Sequence, residues 1–191
     1  MESIEDRQTA IPSAPVPLKF RKAGLRDIYL LRALAEVCFR HTYRKILKAE
    51  QTEWMMRMMY SHRSLRSQIT GGHTFYILYL SANPCGYISI EQTGESDFCF
   101  QKIYLLPDFQ GRGLGRKLIE KGMEHVLSFP CSRGRITLHV NRHNKAKDFY
   151  LKMGFRILEE GDFDIGGGFY MNDYIMVKDF VSGAMEQESN I

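Results

Sequence analysis

The sequence contains no C-x-x-C pair: its four cysteines, Cys38, Cys85, Cys99 and Cys131, are scattered and stand apart from histidines at zinc-ligand spacing. They read as reduced core residues, and no metal is expected. His139 and His143 are four apart, but the segment between them passes from a strand pattern to a helix pattern, so they do not share a helical face. An excess of one charge is also missing. Lysine and arginine number 26 against 22 acids, and the net charge of +4 is spread along the chain, so nothing calls for a nucleic-acid surface. No segment is long and apolar enough to span a bilayer, and Met1 to Gln8 carries three acids with no apolar run after it, unlike a signal peptide. The expectation is a cytosolic protein without membrane or nucleic-acid partners.

What is present suits one folded domain. The 191 residues include twelve Phe and ten Tyr, enough apolar volume for a single core. Residues 1–16 mix acids with Ile11-Pro12-Ser13-Ala14-Pro15 and are expected to form a flexible leader, residues 17–180 the domain, and residues 181–191 a polar tail. Leu18 to Arg21 reads as a first strand. Leu31, Leu34, Ala35, Cys38 and Phe39 then recur at helical spacing, and a second helix from Ala49 gathers Trp54, Met55, Met58 and Met59 on one side. A third short helix carries Leu65 and Ile69. From His73 the period changes: Phe75–Leu80, Cys85–Gln92 and Phe98–Leu106 read as an antiparallel meander separated by turn residues. After a further helix, Ile136, Leu138 and Val140 alternate in a strand that a right-handed crossover should place parallel to Phe98–Leu106. A last helix from about Asn144 stops at Gly154. Phe155–Glu159 and Phe169–Val177 read as closing strands.

Between the meander and the crossover helix lies Gln110-Gly111-Arg112-Gly113-Leu114-Gly115. Alternate glycines leave a backbone on which a ligand can rest, and the following helix offers unpaired N–H groups and a positive dipole end. Arg112, Arg116 and Lys117 surround the opening, so a di-anionic group fits. Two common phosphate signatures are absent. Lys117 lacks the spacing of a P-loop, and a dinucleotide fingerprint would need glycine where Arg116 stands. Taken alone, the loop reads equally well as a tight turn and helix cap.

The loop resembles the Q/R-x-x-G-x-G/A signature of the GCN5-related N-acetyltransferases (GNAT), including the strand and Pro107 before it. A second segment, Asn141-Arg142-His143-Asn144-Lys145-Ala146 through Phe149-Tyr150 to Gly154-Phe155, resembles that family's other signature. The resemblance implies an α/β (α+β) fold, a mixed and mostly antiparallel sheet of about six to seven strands flanked by helices, with a splayed central strand pair. In the family, coenzyme A enters the splay as a false extra strand, and the glycine loop holds the pyrophosphate of acetyl-coenzyme A (acetyl-CoA).

Carried over residue by residue, the resemblance implies coenzyme contacts at Ile103, Leu105, Gln110, Gly111, Arg112, Gly113, Leu114, Gly115, Arg116, Asn144 and Lys147. Tyr150 matches the position that faces the coenzyme sulfur, where a phenol with pKa near 10 can protonate a departing thiolate. The family's asparagine, seven residues before that tyrosine, is replaced by His143, so Asn144 or Asn141 takes over its contact. Many relatives place a glutamate on the strand before the loop. That strand here offers Cys99, Gln101 and Lys102, which leaves Glu91 or a water chain as the base. The helices before the meander correspond to the border of the substrate site, which makes Tyr43, Glu50 and Glu53 candidate amine contacts, with Asn141 as a pocket residue. Lys102-Ile103-Tyr104-Leu105 and Asp173-Tyr174-Ile175-Met176 look most like PaiA-type polyamine acetyltransferases. The implied activity is direct attack of a primary amine, such as a polyamine, on acetyl-CoA, without metal. A peptide or protein amino terminus is the competing acceptor, a coenzyme-binding module without turnover is the alternative of another class, and a homodimer through the closing strand is a further expectation.

Overall fold

The structure, a computed structural model, describes residues 17–182. The expected leader over residues 1–16 and the tail beyond residue 182 lie outside the described residues. Seven strands form one sheet: β1 (Leu18–Lys22), β2 (Thr74–Leu80), β3 (Asn83–Gln92), β4 (Asp97–Leu105), β5 (Arg133–Asn141), β6 (Arg156–Gly166) and β7 (Phe169–Val181). Five α-helices flank it: α1 (Ile28–Tyr43), α2 (Ala49–Tyr60), α3 (His62–Thr70), α4 (Leu114–Leu127) and α5 (Ala146–Lys152). Among the described residues no helix is long and apolar enough to cross a membrane.

The strand order is β1-β2-β3-β4-β5-β7-β6, antiparallel everywhere except between β4 and β5. Short turns join β2, β3 and β4 as antiparallel neighbours by allowing only reversal, while β1 reaches its antiparallel place beside β2 across the long connection that holds α1 to α3. The β4–α4–β5 crossover forces a parallel pair, as a helix-length connection does. That pair is the sheet's weak seam. It is bonded only from Asp97↔Arg135 to Cys99↔Thr137, although β4 runs on to Leu105 and β5 to Asn141. β5 stays paired with β7 along its whole length, so β4 and β5 part and leave a wedge between them.

Each face of the sheet has its own core. Helices α4 and α5 cover one, where Ile88, Phe98, Phe100, Leu118, Ile119, Leu138 and Val140 pack together. Helices α1 to α3 cover the other, with Phe39, Phe75, Ile77, Tyr87 and Leu65. The stripe expected on α1 is buried as a whole. On α2 the buried face is Thr52, Met55, Met56 and Tyr60, while Met58 is exposed. The methionine run had placed Met58 inside, one step round the helix from the true contact line.

A bulge between β3 and β4, where Ser89 faces Lys102 and Ile90 faces Phe100, leaves Gln101 as the extra residue beside the seam. The closing hairpin is longer than its pattern indicated: β6 continues to Gly166 and β7 to Val181. As the edge strand, β6 buries little, and Glu159, Glu160, Asp162 and Asp164 dilute the alternation that would have marked it.

Candidate active site

β4 ends at Leu105, and a 3₁₀ turn over Pro107–Phe109 swings the chain into the glycine loop. Gly111 and Gly113 take φ of 74° and 76°, the left-handed region, and Gly113 caps α4 there. A Cβ built at either would meet nothing within 4 Å. The loop backbone therefore faces open space rather than a packed neighbour, as a phosphate cradle requires and a purely structural turn does not. At Gly115 the need is packing: a Cβ would lie 3.3 Å from Phe149, so the absent side chain lets α4 approach α5.

The wedge between β4 and β5 opens into a cleft of about 890 Å³. Ile103 and Leu105 line it from β4, and Gln110, Gly111, Gly113, Gly115 and Arg116 from the loop and the start of α4. Asn144 and Tyr150 line it from the far side, and Tyr43 from the end of α1. Ten of the sequence-derived site residues thus come together around one space.

Local hydrogen bonds explain several of these positions. Gln110 Nε2 donates to the Leu105 carbonyl at 3.2 Å, tying the loop back to the end of β4. Asn144 Oδ1 accepts the Ala146 N–H at 2.9 Å and so starts α5. Asn141 Oδ1 accepts the His143 N–H at 3.1 Å, which holds the β5–α5 turn. Tyr150 is buried, with its ring against Phe149 and Phe155. Burial, reinforced by Tyr43, pushes its phenol well above the usual tyrosine range. Tyr43 is itself pushed up to about 12, by burial and then by the charge of Asp173. Both phenols hold their protons at neutral pH.

The side chains of the remaining candidates lie elsewhere. Leu114 points into the α4 core instead of the cleft. Arg112 lies over the Phe109 ring at 5.6 Å, and Lys147 over the Tyr174 ring at 5.9 Å, both off the cleft wall. Glu53 is held by Arg40 on the outer surface, and Glu50 is exposed on α2. Asn141 is buried beneath the turn it supports, and does not reach the wall. Glu91 accepts a hydrogen bond from Gln101 Nε2 at 2.7 Å and lies 3.6 Å from His73 Nε2, so it touches the cleft only through Gln101.

Sequence reasoning weighed His139 and His143 only as a metal pair, and named Tyr104 and Asp173 only within family-like patterns, yet Tyr104, His139 and His143 line the same cleft and the charge of buried Asp173 reaches Tyr43. For Asp173 a signal existed: it is a carboxylate at an inward position of β7, between Met171 and Ile175. Lys102, beside the bulge, turns away from the cleft. Its ammonium donates to Gln68 Oε1 at 2.8 Å, and burial lowers its pKa to about 8.

The residues fit a pyrophosphate-bearing thioester: a cradle that no Cβ fills, cationic Arg116 at the helix start, unpaired strand ends in the wedge, and a protonated phenol at its inner end. Among the described residues no three His, Cys, Asp or Glu side chains gather as metal ligands.

The chain is similar to several known proteins. The chain is similar to an uncharacterized N-acetyltransferase of Mycobacterium tuberculosis, 35% identical over 99 residues, which cover 50% of this chain and 60% of that protein. It spans about 60% of the length of the first curated relatives that it matches. A porcine (Sus scrofa) thialysine N-epsilon-acetyltransferase is 36% identical over 62 residues, 32% of this chain and 36% of that protein. In fold, the chain matches the PaiA N-acetyltransferase from Thermoplasma acidophilum, solved in complex with coenzyme A, with a TM-score of 0.72 at 22% identity, over 86% of this chain and 99% of that one. Residues 71–157, which run from just before β2 into β6 and contain both loop and wedge, match the family described as "Acetyltransferase (GNAT) domain".

Proposed function

We propose that the protein transfers the acetyl group of acetyl-CoA to the primary amine of a small cationic acceptor, a polyamine-like molecule, by direct attack with both substrates bound. The observation that carries this reading is the placement of Tyr150, a buried and protonated phenol on the wall of the same cleft whose other end is the glycine loop. Attack of an amine on a thioester expels a thiolate, and a nearby phenol that keeps its proton at neutral pH is suited to supply one as the sulfur leaves. The loop N–H groups and Arg116 would hold the pyrophosphate, and the unpaired edges of β4 and β5 would flank the pantetheine.

The buried cysteines do not offer a covalent route. Burial pushes the Cys38 thiol up to about 12 and raises Cys85 and Cys99 as well, which leaves little thiolate to attack. A cationic acceptor is favoured by Asp173, a buried carboxylate on β7 whose charge reaches Tyr43 on the cleft wall. The name of the similar thialysine N-epsilon-acetyltransferase, an enzyme for a cationic amine, supports this reading.

The test is release of coenzyme A thiol from acetyl-CoA across polyamines, amino acids, aminoglycosides and peptide amines, with wild type beside Tyr150→Phe. Release that depends on a polyamine, and that falls roughly 100-fold in the variant, is the expected outcome. Tight acetyl-CoA binding without release for any acceptor would replace the enzyme by a coenzyme-binding module.

A further inference from the structure

Asp173 is only 6% exposed, at the centre of β7, on the face where its neighbours two residues away are Met171 and Ile175. An ionised carboxylate there is costly without a partner. Its strand neighbours supply little. On β5 it is paired with Asn141, whose Nδ2 donates to Oδ1 at 3.4 Å, a long bond. On β6 it is paired with Gly161, which has no side chain to offer. The Arg142 guanidinium lies within Coulombic reach, but it spends its donors on Glu160, at 2.6 Å, and on Asp162. Asp173 Oδ2 makes no hydrogen bond among the described residues. Desolvation accordingly lifts its pKa to about 6, opposed by Asn141 and Arg142.

The carboxylate is not on the cleft wall itself, but residues close to it are. Tyr43, on the cleft wall, feels its charge, and Tyr43 in turn adjoins Tyr150. His139, two residues before Asn141 on the same strand face, also lines the cleft. Asp173 thus lies just behind the cleft wall, on the sheet face that α1 to α3 cover, and its Oδ2 has no hydrogen-bond partner among the described residues.

Building on the acetyl-transfer reading above, we propose that Asp173 receives the cationic head of the acceptor and takes a proton from it, with Asn141 as its positioning residue. The acceptor arrives as an ammonium, which cannot attack until it loses a proton. That proton passes to Asp173 Oδ2 and later to solvent. The freed nitrogen pair bonds the thioester carbonyl carbon, the carbon–sulfur bond breaks, and its electrons leave on sulfur. Tyr150 gives its proton to that sulfur and recovers one from the nitrogen, which ends as a neutral amide. Two protons leave the nitrogen, one through Asp173 and one through Tyr150, and the products are amide, thiol and one released proton. The assignment also accounts for the exposed Arg142 pairs: held by Glu160 and Asp162, the guanidinium leaves the carboxylate free for a substrate cation.

The experiment is kcat/KM against pH from about 5 to 9, with the best acceptor from the thiol-release panel, for wild type, Asp173→Asn and Asn141→Ala, alongside acetyl-CoA affinity by calorimetry. Wild type should lose activity below an apparent pKa near 6. Asp173→Asn should fall roughly 100-fold, lose that acid limb, and bind acetyl-CoA as wild type does. Asn141→Ala should keep the limb but move it to higher pH, because a donor that favours the carboxylate is gone. Asp173→Asn within threefold of wild type with the same limb, or one that has lost acetyl-CoA affinity, overturns the assignment and leaves acetyl transfer standing. Failure of wild type to release thiol with every acceptor overturns both.

Discussion

On the α4–α5 face of the sheet the buried side chains are almost all apolar, and the groups that would meet the coenzyme are the backbone of a loop and the ends of two strands. The α1–α3 face buries Lys102, Ser89, Asn141 and Asp173 among its apolar residues, together with the phenols of Tyr43, Tyr60 and Tyr87. Ser89 Oγ and His73 Nδ1, on or beside this face, have no hydrogen-bond partner among the described residues. One half of the cleft therefore costs little to hold together, and the other carries charge and unmet polarity in its interior. Buried polar groups retained at a cost point to function more than to folding.

The first way to break this comparison is at the loop. Gly113→Val forces a β-branched residue into the left-handed region at the cap of α4, a strain of about 1–2 kcal/mol, and fills space that the ligand needs. Acetyl-CoA affinity should fall by at least tenfold, measured by calorimetry. The pH dependence of the residual turnover should stay that of wild type, because the acceptor face is untouched. A variant with unchanged affinity would turn the loop back into a structural cap.

The second is Lys102. Its folded pKa of about 8 lies below the ordinary lysine value, so the folded state binds fewer protons than the unfolded one between roughly pH 8 and 10.5, and stability from this group rises with pH across that window. At pH 7 its full cost is present, eased by the Gln68 hydrogen bond and by the Tyr60 and Phe75 rings, each 5.8 Å away. Lys102→Met should therefore stabilise the protein at pH 7 by about 1–2 kcal/mol in chemical denaturation, with the gain shrinking above pH 8. Destabilisation at pH 7 would mean that the lysine is structurally satisfied.

Asp173→Asn applies the same logic with the opposite charge and a smaller effect. A carboxylate whose folded pKa is raised from 3.8 to about 6 favours folding only while it is protonated, so its contribution is full below pH 4 and is lost as pH rises through 6. The variant should melt a few degrees above wild type at pH 7.5, on the order of 1 kcal/mol once screening by solvent is allowed for, and show no advantage at pH 4. A Tm gain joined to lost turnover would show charge kept for function at the expense of stability.

The two faces also differ in how far they could be read from the sequence. The loop and the β5–α5 turn are contiguous, so Gln110 to Arg116 and Asn141 to Phe155 announce themselves as motifs, and their backbone does the work wherever the rest of the chain goes. The acceptor face is assembled from segments more than a hundred residues apart: Tyr43 ends α1, Tyr104 lies on β4 and Asp173 on β7. Nothing local marks their meeting. Glu53 and Glu91 were plausible because carboxylates suit an amine, but side-chain type does not say which way a helix turns or where a bulge puts a strand. Arg112, Leu114 and Lys147 show the same limit inside a motif: the backbone pattern is legible, while the local packing of the loop, α4 and α5 decides which side chains line the cleft.

The smallest expected effect is at Glu53, where the comparison is sharpened by a near-null result. Its carboxylate is held by Arg40, which also holds Glu36, so the three form an exposed network bracing α1 against α2. Arg40 keeps the Glu53 carboxyl below the usual carboxylate range. Exposed pairs of this kind contribute little, because water screens them and two long side chains must be ordered to make them. Glu53→Gln should leave kcat unchanged, the acceptor KM within about twofold and Tm within a degree or two. Salt separates the alternatives further: a bracing pair loses its small effect at high ionic strength, with no change in acceptor preference. A several-fold rise in KM confined to polycationic acceptors would instead extend the acceptor face from its buried carboxylate out to the rim of α2.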